Sequence, residues 1–226
     1  MSFFGELGLR AAEQLEASVG PYVALASYLR LLDSEPPVAA AAHLGALRCA
    51  IGLADWPETR ALIAGWSART ASAQSALGLV PLLWHAGQLE LAHSLARAEH
   101  TRAPRPDSAY VVAKLDDEVG ERADYAAAIA LGGADATLVA FASARQVAAT
   151  IARITQRKHA LDHAALLELA QRAEAASRES RAPLPTNLRV AVLRGLLLSP
   201  RPFGRAAALS ELARLGAAGP LAPTVV

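Results

Sequence analysis

Apolar residues recur along this chain at helical intervals. Val147, Ile151 and Ile154 fall at i, i+4 and i+7, and Leu62–Trp66, Leu91–Leu95 and Leu166–Ala170 are i, i+4 pairs. That spacing lays an apolar stripe on one side of a helix and gives it a face to bury. No segment of six or more residues alternates cleanly, so strands are not expected. Gly and Pro punctuate the pattern at intervals. The segments between them predict about a dozen helices, near 3–18, 21–32, 37–53, 57–69, 73–85, 88–101, 107–119, 121–131, 135–156, 162–179, 186–198 and 204–216. Ser2, Asp55, Asp107 and Asp135 offer side-chain acceptors to the unpaired N–H groups of a first turn. Pro37 and Pro57 suit a first turn, where no N–H is needed. Stops are expected at Gly20, Gly87, Gly120, Gly132-Gly133 and Ser199-Pro200. The loops are short enough to make successive helices antiparallel hairpins.

The pattern also repeats. A shift of 33 residues superposes Leu44-Gly45 on Leu77-Gly78, Leu47 on Val80, Trp56 on Leu89 and Leu62 on Leu95. Each copy reads as helix, tight turn and helix, with turns at Ala54-Asp55-Trp56 and Gly87-Gln88-Leu89. Similar turns follow at Ala123-Asp124-Tyr125 and Ala160-Leu161-Asp162, their bulky residues Tyr125 and Leu161 each 36 residues after the last, Leu89 and Tyr125. A small residue, Thr59, Ala92, Ala128 or Ala164, stands shortly after each turn and would let the two helices approach closely. A hairpin of this size cannot bury its apolar face alone, so copies must stack.

These residues resemble the tetratricopeptide-like family of α-solenoids, whose unit carries a Leu-Gly pair in its first helix and a Gly-Asp-Tyr-like turn. Leu44-Gly45 with Asp55-Trp56, and Leu77-Gly78 with Gly87-Gln88-Leu89, are the nearest matches, and residues 36–180 carry the resemblance. The Leu-Gly pair lies two residues further from the turn than the family pattern has it, and the closing Pro keeps no constant position. The resemblance implies an all-α, right-handed solenoid of helical hairpins, with 1–35 and 181–226 as caps of a single domain and the end of the chain frayed. It further implies an adaptor, assembly factor or chaperone that holds a segment of another protein.

Composition excludes several classes. Of 226 residues, 54 are Ala and 35 Leu, which favours helix, and 53% are hydrophobic, too many for a disordered chain. A single Cys excludes a disulfide framework and Cys-rich zinc modules. The start has no basic stretch, Glu6 interrupts its apolar run, and the Ala-rich uncharged stretch 36–47 is far short of the ~20 residues of a bilayer span. A cytoplasmic protein without a membrane partner is expected.

The formal charge of +1 conceals an asymmetry. Residues 1–144 hold 10 Lys+Arg and 16 Asp+Glu, whereas 145–226 hold 12 and 5. Arg145, Arg153 and Arg157 recur along one helix, and Arg189, Arg194, Arg201 and Arg205 follow with no acidic residue between 180 and 210. The resemblance implies that helices 135–156 and 186–198 line a concave face. Arg145, Arg153, Arg157, Arg189 and Arg194 are therefore the candidate partner-binding residues, since a guanidinium fork matches carboxylates and phosphates. Only two of the 22 basic residues are Lys, which fits a compositional bias toward Arg as well.

Other chemistry is weaker. His159 and His163 are spaced to share a metal, yet Ala160 stands where a zincin has its Glu. His85, His93 and His100 read as packed or solvated, and Cys49 as buried. The consecutive acids Asp116, Asp117 and Glu118, with Glu121, fan around a helix and do not converge as calcium ligands do. Trp56 reads as a packing residue, while Trp66 and Trp84 are candidates for a groove. No nucleophile elbow or phosphate loop occurs, so neither catalysis nor a cofactor is expected. The expected partner is a protein or peptide with an acidic segment. Nucleic acid, through the basic C-terminal third, is the alternative, and self-association a further one.

Overall fold

A computed structural model describes residues 3–69, 74–121, 123–157 and 162–218. Among these the protein is all-helical, with twelve α-helices and no strand. The helices are α1 (Phe3–Ser18), α2 (Pro21–Leu29), α3 (Pro36–Gly52), α4 (Trp56–Trp66), α5 (Val80–His85), α6 (Leu89–Arg102), α7 (Pro106–Glu118), α8 (Ala126–Gly132), α9 (Ala136–Arg157), α10 (His163–Ser180), α11 (Thr186–Leu196) and α12 (Pro202–Ala218). A 3₁₀ turn, Ala76–Leu79, precedes α5. None of these helices is long and apolar enough to cross a membrane.

Local chemistry explains most boundaries. Asp55 accepts from the Glu58 N–H at 3.1 Å, Asp135 from Leu138 at 3.0 Å and Asp162 from Ala165 at 2.9 Å, each closing a first turn. Two sequence expectations fail. The helix expected over 73–85 is a 3₁₀ turn followed by α5, because Pro81 has no N–H to extend a helix arriving from its N-terminal side. The helix expected from 121 starts only at Ala126, since Gly120 is left-handed at φ 78° and Asp124 caps the Ala126 N–H. Asp107 stands inside the first turn of α7, where it accepts from the Ser108 N–H at 2.8 Å, while the Arg105 N–H donates to Ser108 Oγ and that hydroxyl donates back to the Arg105 carbonyl.

The turn correspondence at 33 residues has a backbone counterpart. Ala54 (φ 55°) and Gly87 (φ 74°) both take the left-handed conformation, and Asp55 and Gln88 then begin α4 and α6. Thr59, Ala92 and Ala128 are fully buried, as close helix approach requires. Ala164 is exposed, so that feature does not extend to the fourth turn, whose residues 160 and 161 lie outside the described residues. Gly78 also departs from its partner: it stands in the 3₁₀ turn with open space around it. Gly45 lies inside α3, where an added Cβ would fall 2.5–2.8 Å from three atoms of the buried Tyr28 ring. Gly45→Ala is therefore expected to cost about 1–3 kcal/mol by overpacking, read as a lower thermal midpoint with a native-like helical spectrum.

The chain forms two compact units, 1–121 and 122–226. In the first, each of α1, α2 and α3 packs on the other two, α4 on α3 and α6, and α6 on α5 and α7. Tyr28, Leu47, Trp66, Leu83, Leu95 and Leu115 fill its core. In the second, α9 packs on α8, α10 and α11, while α11 also packs on α10 and α12. Val147, Leu166, Ala170, Leu188 and Val192 fill that core. Gly195 sets the α10–α11 approach, since a Cβ there would lie 2.7 Å from that of Ala170. The first unit contains nine Lys+Arg and 14 Asp+Glu, the second 13 and seven.

Candidate functional site

Two polar clusters in the first unit and one groove in the second collect most of the chemistry. The first cluster surrounds Glu99, which α6 places in the core without exposure. Its carboxylate accepts from Trp66 Nε1 (2.7 Å), Ser75 Oγ (2.9 Å), Arg102 Nε and guanidinium (3.1 and 2.8 Å) and the Arg105 guanidinium (3.3 Å). Burial opposes its ionisation, but the bonds from Arg102, Trp66 and Ser75 outweigh that and hold the carboxyl below its ordinary range. Arg102 is itself buried, lies over the Trp66 ring at 5.0 Å and donates to the Gln74 carbonyl at 2.9 Å. The Glu99–Arg102 pair thereby fixes Gln74 and Ser75 ahead of the 3₁₀ turn. Trp66, expected as a groove candidate, is a core residue; Trp84 is half-buried beneath the Lys114 ammonium at 4.7 Å.

His43 packs edge-on against Trp66 and joins α3 to α4. Its Nε2 is 2.7 Å from the Leu62 carbonyl, so that nitrogen carries the proton, and its Nδ1 accepts from Arg69 Nε at 3.1 Å. Burial holds its pKa below the ordinary 6.5. The folded chain thus refuses a proton that the unfolded chain takes up below 6.5, and stability contributed by neutral His43 is lost as pH falls. Glu16, held low by Arg48, and Glu99 extend the loss below their ordinary 4.5. Urea midpoints should therefore fall between pH 7.5 and 5.5. His43→Gln, which keeps a donor for Leu62, should flatten that part of the profile.

The second cluster joins α6 to the end of α7. His93 Nε2 meets Asp116 Oδ1 at 2.6 Å, and Arg97 donates to Asp116 (3.0 Å) and Glu121 (2.5 Å). Ligand atoms of His93, Asp116 and Glu121 lie within 4.8 Å of one another, a spacing a divalent ion could bridge. The Arg97 guanidinium already supplies positive charge to both acids. His100 Nδ1 is 2.8 Å from Ser108 Oγ, and His85 is exposed. Cys49 is buried, and burial pushes its thiol up to about 11. His163 begins α10, exposed, while His159 lies outside the described residues.

The groove lies in the second unit along α11, between α10 and α12. Arg189 of α11 ties the three helices together. Its guanidinium grips Glu211 of α12 through two bonds (2.9 and 2.7 Å) and bonds Glu174 of α10. Arg189 holds the Glu211 carboxyl below its usual range. A hollow opens on either side of this tie. One, of about 380 Å³, is lined by Ala175, Leu193, Leu196, Ser199, Arg201 and Ala207 among others. The second, of about 330 Å³, is lined by Ser177, Leu184, Thr186, Arg214 and Leu215 among others. Glu174, Arg178, Arg189 and Glu211 border both. Arg178 and Arg214, 79% and 75% exposed, reach Glu174 and Glu211 at 2.9 and 3.8 Å but keep most of their donors in solvent.

Of the five arginines expected to bind a partner, Arg189 alone among the described side chains borders the groove. Arg153 folds back on α9, donating to the Ala149 carbonyl and Thr150 Oγ1, both at 3.2 Å. Arg145 and Arg194 are half-buried on α9 and α11, and the side chain of Arg157 lies outside the described residues. Arg178 and Arg214 were not singled out in the sequence. Each stands three or four residues from a Glu on its own helix, a spacing that reads as an ordinary intrahelical pair.

No protein-family description matches the chain, and neither curated proteins nor solved structures provide a significant match.

Proposed function

We propose that this chain is a non-catalytic, tetratricopeptide-like protein-interaction module and that the groove along α11 receives a segment of a partner protein. The groove carries this reading: small and branched apolar residues line it, and exposed guanidinium groups stand at its edge. The packing of most helices on a neighbour in sequence within each unit, and the paired left-handed turns at Ala54 and Gly87, support the solenoid class. The Arg97 and Arg189 ion pairs join helices, which suits structural work.

A photocrosslinking side chain at Ala207, beside the groove, tests the reading against one at exposed Ala61 on α4. In the cell of origin, Ala207 should yield a discrete protein adduct that Ala61 does not. Equal adducts at both positions, or none at Ala207, would refute it.

A further inference from the structure

We infer that the segment received by the groove is an acidic amphipathic helix with two apolar anchors about seven residues apart. This rests on the docking reading above and adds the partner's chemistry. Charge is the first observation. Four guanidinium groups, of Arg178, Arg189, Arg201 and Arg214, border the two hollows against two carboxylates, Glu174 and Glu211. Arg189 already answers both carboxylates. Arg178, Arg201 and Arg214 are exposed at the rim, and Arg201 makes no ion pair among the described residues. A basic or neutral segment would leave this excess uncompensated, whereas an acidic one meets it with charge-assisted bonds.

Backbone chemistry selects the helix. The groove is built from helices, whose N–H and C=O groups are satisfied internally, so it offers no edge for an extended strand to pair with. An extended segment would bring unpaired backbone into the apolar lining, whereas a helix arrives with its own bonds made. Ala175, Gly204, Ala207 and Ala208 leave room for close approach. The tie at Arg189 sets the spacing. It divides the track into hollows that α11 lines with Leu193 on one side and Thr186 on the other, seven residues apart, or about 10 Å at 1.5 Å per residue. Two anchors at i and i+7 match that distance, and acids beside them reach Arg178, Arg201 and Arg214.

Fluorescence anisotropy with designed probes tests this. The first probe is a labelled helical peptide with Leu at i and i+7 and Glu flanking both. The second has Lys for each Glu, the third carries a central Pro that breaks the helix, and the fourth is a single-stranded oligonucleotide. The acidic helix should bind at least ~10-fold tighter than the other three, about 1.4 kcal/mol, and weaken as salt is raised. The exposed double variant R201E/R214E, checked for an unchanged helical spectrum, should lose that preference. Equal binding of the Lys or Pro probe overturns the acidic helix while leaving a docking groove. Tighter binding of the oligonucleotide, or self-assembly at low salt that excludes every probe, replaces the partner class. If no probe binds while Ala207 still crosslinks a protein, this inference fails alone. If the crosslink is also missing, the docking reading falls with it.

Discussion

Glu99→Ala is expected to cost about 3–5 kcal/mol, a large share of the stability of a unit this size. The loss comes less from the missing bonds than from what remains behind. Arg102, with a side chain only 2% exposed, would keep its charge in the core without a counter-ion. Trp66 Nε1 and Ser75 Oγ would lose their acceptor in the same stroke. Residues 3–121 should unfold at a midpoint lowered by roughly 10 °C or more. Removing both charges in Glu99→Ala/Arg102→Leu should recover part of the loss, since a buried pair replaced by apolar groups can be nearly neutral. A double variant as unstable as the sum of its single changes would show that the pair is not coupled.

Arg189→Glu has the second largest expected effect, and it is local. The substitution sets a third carboxylate between Glu174 and Glu211 in a position only partly open to water. α12 packs principally on α11, with Ala208 as its buried residue, and the Arg189–Glu211 bonds supply much of its attachment. About 3 kcal/mol of attachment should be lost, discounted from the fully buried case because the Arg189 side chain remains 21% exposed. Hydrogen exchange should become fast along Pro202–Ala218 while the cores of α9, α10 and α11 stay protected. Uniform loss of protection over the second unit would contradict this account of the tie.

Local chemistry was legible in the sequence where one residue decides the outcome. Asp55, Asp135 and Gly87 end or begin helices because a side-chain acceptor or a left-handed backbone is needed at that point. Pro81 was the exception, hidden in an otherwise apolar run that reads as one helix. Contacts between distant residues were not legible. His93 finds Asp116 23 residues away, Trp66 finds Glu99 33 away, and Arg189 finds Glu211 22 away. A charge count along the chain treats each arginine as available. In the structure Arg189 is consumed by two carboxylates and Arg153 by its own helix, while Arg178, Arg201 and Arg214 keep donors in solvent. The excess of positive charge beyond residue 144 falls in the unit that holds the hollows along α11, and the packing of α10, α11 and α12 decides which arginines border them.

Amide chemical-shift mapping with the acidic helical probe tests the docking groove most directly. Titration should move resonances of Ala175, Leu193, Ala207 and their neighbours on α10, α11 and α12, and leave residues 3–121 unmoved. Shifts centred in the first unit, or none anywhere at saturating probe, would contradict it.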